Sequence, residues 1–200
     1  MNFLVIDTET GGLDPKTNPV LQIAMRLYRE DGTTDMTFNK TIEWSGPDQP
    51  ISVSAVKVNS YKFTDGYNPR CVAIELVQFL AAVNHRKKFY SQETCLLGQN
   101  LQFDIDFIEA FLNRQGFTDW KEPFRYRRLD TSAIALFLAE AKILPYDMRF
   151  NLKAMYGHFF KCDIPEAHNA LGDVEATWKV YKALLDLTRT RTKWDGTSGL

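Results

Sequence analysis

The sequence is poor in cysteine, in long apolar runs and in net charge. Its three cysteines (Cys71, Cys95 and Cys162) are odd in number and widely spaced, with no CxxC pair, which argues against a disulfide framework or a zinc site. No apolar run approaches the roughly 18 residues of a membrane-spanning helix, and the N-terminus shows no signal-peptide pattern. A net charge of −1 provides no overall electrostatic attraction to a charged partner. We therefore expect reduced thiols, a cytoplasmic (intracellular) location and no membrane partner.

The sequence does contain enough apolar and aromatic side chains for one core. Its 200 residues are 44% hydrophobic and 13% aromatic, which excludes a mainly disordered chain and leaves little room for a second domain. We predict one folded domain over 1–188. A polar, basic tail without periodicity follows over 189–200, and we expect it to be flexible.

The hydrophobic pattern predicts strands first and then helices that alternate with short strands. The predicted strands are 2–8, 19–28, 34–42, 94–98 and 127–131. The predicted helices are 70–84, 103–117, 133–141, 151–159 and 169–187, with a shorter one within 52–63. This order predicts an α/β fold with a mixed sheet and helices on its faces.

Acidic side chains occur at three places where apolar segments end. Asp7 and Glu9 are two residues apart at the end of the first strand, so they point to one side of it, and a Gly pair that follows lets backbone approach a ligand. Asp104 lies in the first turn of a predicted helix. Asp173 lies in the first turns of the last helix, behind His168. These elements are expected to pack against one another, which would bring the acids into one cavity.

Each of these residues has an ordinary explanation when taken alone. Asp7 and Glu9 could be the exposed acids of a turn, and Asp104 could interact favourably with the dipole of its helix. Asp173 could be a structural acid whose carboxylate is hydrogen-bonded, and His168 could be a solvated or capping histidine. Together, four carboxylates facing one cavity cannot all ionise unaided, and all-oxygen ligands select Mg²⁺ or Mn²⁺. Two such ions could clamp a phosphoryl displacement, with His168 taking the proton of the attacking water. A structural Ca²⁺ site lacks the EF-hand spacing and leaves His168 unexplained.

Three segments, in order, resemble the motifs of the DEDDh family of 3′–5′ exonucleases, which have the ribonuclease H-like superfold. DTETGGL at 7–13 is similar to the family's Asp-x-Glu followed by Thr and Gly. NLQFD at 100–104 is similar to its Asn-x-x-Phe-Asp, and HNALGD at 168–173 to its His followed five residues later by Asp. SVSAVKVNSY at 52–61 and RRLDTSA at 127–133 resemble two further segments. The resemblance covers nearly the whole chain.

The resemblance implies a mixed five-stranded sheet with helices on both faces, and release of nucleoside 5′-monophosphates from 3′ ends. It implies two Mg²⁺ or Mn²⁺ ions on the four acids and a general base at His168. It also implies a substrate-binding set of Thr10, Gly11, Leu13, Asn100 and Phe103. The implied partners are single-stranded nucleic acid or frayed 3′ ends, with docking on a polymerase or another replication or repair protein left open.

The chain departs from the family pattern in two places, and its substrate class stays open. The chain has Thr10-Gly11-Gly12 where the family often has Thr-Thr-Gly, so Gly11 replaces the second Thr. The segment 165–167 lacks the Arg that proofreading members commonly carry before the His. The likeness of ISVSAVKVNSY (51–61) to the proofreading branch favours DNA. RNA 3′-end trimming by the same family is the alternative, and so is a catalytically silent nucleic-acid-binding or partner-binding domain, which the intact acids and His168 argue against.

Other polar residues have structural interpretations. Asp130 precedes a helix and is predicted to cap it. His85 is expected to belong to a solvated cationic helix end, and His158 to pack at a helix end. The basic clusters at 85–88 and 125–128 could lead a nucleic-acid backbone to the site, although isolated runs of this kind are typically solvated faces.

Overall fold

A computed structural model of the chain describes residues 1–44, 50–52, 55, 66–90, 94–118, 120, 127–165 and 169–191. Within these residues the chain forms five strands and five helices. The strands are β1 (Asn2–Thr10), β2 (Val20–Tyr28), β3 (Thr34–Thr41), β4 (Thr94–Gly98) and β5 (Arg128–Asp130). The helices are α1 (Pro69–Tyr90), α2 (Leu101–Arg114), α3 (Thr131–Glu140), α4 (Leu152–Phe160) and α5 (Ala170–Arg191).

The five strands form one mixed sheet with the order β3-β2-β1-β4-β5. The first three strands are antiparallel neighbours, whereas β4 and β5 run parallel to β1 on its other side. β1 therefore lies at the centre of the sheet, as expected for a nearly continuous apolar run covered on both faces. The predicted α/β fold with a mixed five-stranded sheet is confirmed.

Alternate side chains of β1 pack against helices on opposite faces of the sheet. Leu4 and Ile6 belong to a core cluster with side chains of α1 and α2. Phe3 and Val5 point the other way and pack with side chains of α5, among them Trp178. A third cluster joins α3 and α4 to α5. Residues of β1 with even and odd numbers thus face different helices, and this alternation decides which helix meets each polar residue further along the strand.

Several elements differ from their predicted bounds. β1 continues to Thr10, beyond the predicted end at 8, so Glu9 lies within the strand together with Asp7. α5 continues to Arg191, beyond the predicted end at 187, and in this added part the Thr188 hydroxyl donates to the Leu185 carbonyl at 2.7 Å. The first residues of the predicted tail are therefore helical, while 192–200 lie outside the described residues. The predicted helix within 52–63 lies outside them too, apart from Ser52 and Ala55.

Candidate active site

The acidic pair lies on a part of β1 that has a neighbouring strand on one side only. The parallel pairing with β4 ends at Val5 and Leu97, whereas the antiparallel pairing with β2 continues through Asp7 and Glu9. β1 thus extends past the end of β4 and exposes an open edge there. Asp7 and Glu9 are two residues apart, so both side chains emerge on the face that α5 covers.

Asp104 reaches this open edge from the opposite face of the sheet. It lies in the first turn of α2 and is only 3% exposed. Its Oδ1 accepts one hydrogen bond from the Thr8 backbone N–H, at 2.8 Å, and another from the Thr8 hydroxyl, at 2.7 Å. The backbone N–H is available because, among the described residues, no strand pairs with β1 at this edge beyond Val5. Asp104 is therefore tied to the strand that carries the acidic pair, which a helix-dipole role does not require.

Asp173 completes the cluster from α5. It lies in the first turn of that helix, and its N–H donates to the Asn169 carbonyl at 3.0 Å. One carboxylate oxygen from each of Asp7, Glu9 and Asp173 can be chosen such that all three lie within 4.8 Å of one another. The structure thus brings together the acids from three distant parts of the sequence, as predicted.

Burial and mutual repulsion raise the pKa values of the acids. Burial, followed by the charges of Asp104, Asp173 and Glu9, raises the pKa of Asp7 well above its usual value. Burial and the charges of Asp173 and Asp104 raise the pKa of Glu9 to about 7. Burial also raises the pKa of Asp104 to about 7, although the hydrogen bonds from Thr8 oppose this rise. A cation would relieve the repulsion, and a set of carboxylate oxygens suits Mg²⁺ or Mn²⁺.

The loop that follows β1 has no room for side chains at its two glycines. A Cβ at Gly11 would lie 2.8 Å from Cδ of Pro19, and one at Gly12 would lie 2.4 Å from Oδ1 of Asn18. Gly11, which stands where the family often has a second Thr, thus packs against the Pro19 ring with no space for a side chain. Leu13 follows with 85% of its surface exposed, an unusual state for a leucine beside an acidic cluster.

Arg114 fastens the same loop to the C-terminal end of α2. Its Nη2 donates to the carbonyl oxygens of Pro15 and Lys16, at 2.6 and 2.8 Å, and its Nη1 to that of Asn18, at 3.4 Å. α2 therefore contacts the site at both ends, through Asp104 and through this arginine. No local sequence pattern singles out Arg114, because its partners lie almost a hundred residues earlier in the chain.

Known proteins resemble this chain in sequence and in fold. No protein-family model matches the chain. The chain is 25% identical over 199 residues to ribonuclease T of Shewanella frigidimarina, which covers 96% of this chain and 85% of that protein. It is 23% identical over 188 residues to PolC-type DNA polymerase III of Thermotoga petrophila, covering 94% of this chain and only 12% of the polymerase.

The fold is similar to that of E. coli exonuclease I, whose structure was solved in complex with a dT13 oligonucleotide. The TM-score is 0.72 at 20% identity, and the match covers 97% of this chain and 42% of exonuclease I. These matches extend over nearly the whole of this chain. The chain is similar in sequence and in fold to 3′–5′ exonucleases of the DEDDh type.

Asn100 and Asp130 connect the start of α2 to the start of α3. Asn100 precedes α2 with a left-handed φ of 55°, and its N–H donates to Oδ1 of Asp130 at 3.2 Å. The same carboxylate accepts the N–H groups of Leu101 and Ser132, each at 2.8 Å. The predicted capping role of Asp130 is therefore confirmed, and this carboxylate also joins the start of α2 to the start of α3.

The substrate-binding residues implied by the resemblance stay predictions. The Thr10 hydroxyl donates to the Gly12 carbonyl at 2.7 Å, which stabilises the turn after β1. Phe103 is partly buried and packs against Phe107, with ring centroids 4.7 Å apart. His168 lies outside the described residues, so its placement relative to the acids also stays a prediction.

The secondary sequence features lie away from the acids or outside the described residues. His158 is partly buried in the last turn of α4, with its ring 5.2 Å from that of Phe159, in agreement with a packing role. The cluster at 85–88 belongs to the C-terminal part of α1. In the cluster at 125–128, Arg127 and Arg128 are exposed and the first two residues lie outside the described part. No helix in the described ranges has the length and hydrophobicity needed to span a bilayer.

Proposed function

We propose that this exonuclease hydrolyses the terminal phosphodiester at 3′ ends by a two-metal reaction, with Asp7, Glu9, Asp104 and Asp173 holding the ions. The observation that carries the proposal is the group of oxygens from Asp7, Glu9 and Asp173 within 4.8 Å, beside the buried Asp104. When bound, two Mg²⁺ or Mn²⁺ ions would stabilise the attacking and leaving oxygens of an in-line displacement. Raised pKa values in the metal-free cluster support this role, because ionised carboxylates need a cation there.

The chain's own residues supply the remaining parts of the reaction. The two glycines keep the loop after β1 free of side chains, so that backbone can approach the terminal nucleotide. The exposed Leu13 offers an apolar surface to the last base. His168, two positions before α5 in the sequence, accepts the proton of the attacking water, and the product leaves as a nucleoside 5′-monophosphate.

We expect His168→Ala to slow the chemical step by about 10²–10⁴-fold, the usual effect of losing a general base. The measurement is the single-turnover cleavage rate with saturating Mg²⁺, which separates chemistry from substrate binding. His158→Ala on α4 is the matched control and should cleave at the wild-type rate. An unchanged rate in His168→Ala would assign the base to another residue.

We propose single-stranded DNA, or the frayed 3′ end of a duplex, as the favoured substrate. Support comes from the DNA polymerase among the relatives and from the oligonucleotide complex of exonuclease I. RNA 3′-end trimming is the second candidate, because the ribonuclease T relative is matched along 85% of its length. Contacts to the 2′-hydroxyl distinguish the two.

One experiment tests both the reaction and the substrate. Single strands of DNA and RNA, labelled at the 3′ or the 5′ end, are followed in time with Mg²⁺, Mn²⁺ or EDTA. Stepwise loss of mononucleotides from the 3′ end, abolished by EDTA, is expected, and the strand degraded faster identifies the substrate. Absence of cleavage with either metal, in folded protein, would instead favour a catalytically silent binding domain.

The partner and the location of the enzyme follow from the same proposal. The match to a segment of a PolC-type polymerase supports work beside a polymerase or another replication or repair protein. An intracellular location, where thiols stay reduced, fits the three free cysteines. Co-purification of the tagged chain from cells is expected to recover replication or repair proteins.

A further inference from the structure

We propose that Gln22 is a positioning residue of the metal site, because its side-chain amide holds the first turn of α5 against the sheet and thereby places Asp173 opposite Glu9. This inference rests on the proposed two-metal function. It concerns a residue on β2 that belongs neither to the acidic cluster nor to the substrate-binding set.

Gln22 occupies the position on β2 that pairs directly with Glu9 on β1. Side chains of directly paired residues emerge on the same face of a sheet, so Gln22 lies beside the acidic cluster on the face that α5 covers. Its Oε1 accepts the backbone N–H of Ala170, the first residue of α5, at 3.1 Å. Its Nε2 donates to Oδ1 of Asn39 on β3, at 2.9 Å.

These two bonds determine how the amide is oriented. The Ala170 N–H can only donate, so the carbonyl oxygen of Gln22 must face the helix and the NH₂ group must face Asn39. The first N–H groups of a helix have no partner within the helix. Gln22 supplies one acceptor from the sheet, and the side chain of Asn169 supplies another by accepting the Leu171 N–H at 3.0 Å.

The first turn of α5 needs this support more than the rest of the helix does. The body of α5 is held by Trp178, which stacks on Tyr28 with centroids 4.4 Å apart, and by the ion pair of Glu175 with Arg26. Asp173 precedes those contacts and faces carboxylates that repel it when no cation is bound. The hydrogen bond from the Ala170 N–H to Gln22, one turn before Asp173, resists that repulsion. It does so without adding a charge beside Glu9.

The test is the Mg²⁺ dependence of Gln22→Met, which keeps the side chain's length and removes both hydrogen bonds. Two readouts are compared: the Mg²⁺ concentration that gives half of the metal-induced rise in Tm, and the one that gives half-maximal cleavage. Both midpoints are expected to rise by about 10–100-fold, the usual effect of losing a residue that orients a metal ligand. The metal-free Tm should fall by about 4–8 °C, as expected for two lost hydrogen bonds.

Two further variants separate positioning from general destabilisation. Gln22→Glu keeps an acceptor for the Ala170 N–H, and the amide of Asn39 can turn to donate to it. Because this variant also adds a charge beside Glu9, its Mg²⁺ midpoint is expected between those of Gln22→Met and the wild type. Gln78→Met, on the exposed face of α1, is the matched control and should leave both midpoints unchanged. Asn39→Ala removes only the hydrogen bond from Gln22 Nε2 to Asn39 and should raise both midpoints, but by less than Gln22→Met does. This variant keeps the test available if Gln22→Met does not fold.

The proposal is overturned if Gln22→Met binds Mg²⁺ like the wild type, or if Gln22→Glu is impaired as much as Gln22→Met. Failure of the underlying function would look different. In that case the wild-type protein itself would show no Mg²⁺-dependent rise in Tm and no metal-dependent cleavage.

Discussion

Two helices bring an acid to β1 from opposite faces of the sheet, and they hold it in different ways. Asp104 and Asp173 each lie in the first turn of their helix. One oxygen of Asp104 already accepts two hydrogen bonds from Thr8. Asp173 instead lies with Asp7 and Glu9 in a group of carboxylates within 4.8 Å. The α2 side of the site is therefore organised by hydrogen bonds to the protein. The α5 side instead depends on a cation to neutralise the repulsion between its carboxylates.

This difference indicates how far the site is preformed. Thr8 lowers the pKa of Asp104 and so opposes the effect of burial. For Asp7, every contribution raises the pKa. We infer that metal-free protein keeps Asp104 in place, whereas the acids on the α5 side share protons or move apart until a cation binds.

Removal of an acid from the α5 side should have the largest effect. Asp7→Asn and Asp173→Asn are each expected to reduce metal-dependent cleavage to background, because each deletes a ligand. The metal-free Tm of Asp7→Asn should rise by a few degrees, since a repelling charge is lost without a change in volume. Activity assays and thermal unfolding in EDTA test both effects. Asp106→Asn, where the acid accepts from Gln102 on the same helix as Asp104, is the control for each. Full activity in Asp7→Asn would remove that residue from the metal site.

The α2 side can be tested through Thr8. Thr8→Val removes the hydroxyl donor but keeps the backbone donor, so the pKa of Asp104 should rise further and Mg²⁺ affinity should fall by about 10–100-fold. Thr8→Ser keeps the hydroxyl and should restore most of the affinity. The measurement is cleavage as a function of Mg²⁺ concentration. Equal Mg²⁺ midpoints in Thr8→Val and wild type would show that the backbone N–H alone positions Asp104.

Stability should depend on pH in opposite ways with and without metal. The pKa of Glu9 rises from 4.5 to about 7 on folding, and that of Asp104 from 3.8 to about 7. Between these values the folded state binds more protons than the unfolded state, so this contribution to metal-free stability falls as pH rises towards 7. Mg²⁺ requires ionised carboxylates and should therefore raise Tm more at pH 8 than at pH 5.5.

Thermal unfolding at both pH values, with and without Mg²⁺, measures this difference. Asp7→Asn serves as the control, since its response to Mg²⁺ should be small at either pH. An equal rise in Tm for wild type at pH 5.5 and pH 8 would contradict the proposed coupling between proton release and metal binding.

Loss of Arg114 should have the smallest effect, because it acts on the loop and not on the acids. Arg114→Ala deletes three hydrogen bonds to loop carbonyl oxygens. We expect KM for single strands to rise about 5-fold, corresponding to about 1 kcal/mol, with kcat and the Mg²⁺ midpoint unchanged. Steady-state kinetics at saturating Mg²⁺ test this, with Arg149→Ala as an exposed control. A shifted Mg²⁺ midpoint would mean that Arg114 also influences Asp104 through α2.

Much of the fold and of the acidic cluster could be predicted because the signals are local. Continuous apolar runs, alternation and helical periodicity identified all five strands and all five described helices. Asp7, Glu9, Asp104 and Asp173 were predictable because each lies where an apolar segment borders polar residues. The end of α5 was predicted too early, at 187, since residues 188–191 are polar or basic and carry no apolar periodicity that would indicate a helix.

The residues that support the site were not predictable in the same way. Thr8 bonds Asp104 across 96 positions, and Gln22 bonds Ala170 across 148. Neither pairing leaves a local pattern, because each depends on the order of the strands and on which face a helix covers.

The sequence by itself determined the strands, the helices and the identity of the acids, because hydrophobic periodicity and carboxylate chemistry are properties of neighbouring residues. Only the tertiary structure decided how those acids are held. β1 extends past the end of β4, which frees the Thr8 N–H for Asp104, and the register of β1 with β2 places Gln22 beside Glu9 and under the start of α5. Such contacts arise from strand pairing and helix packing between distant segments, which no local pattern encodes.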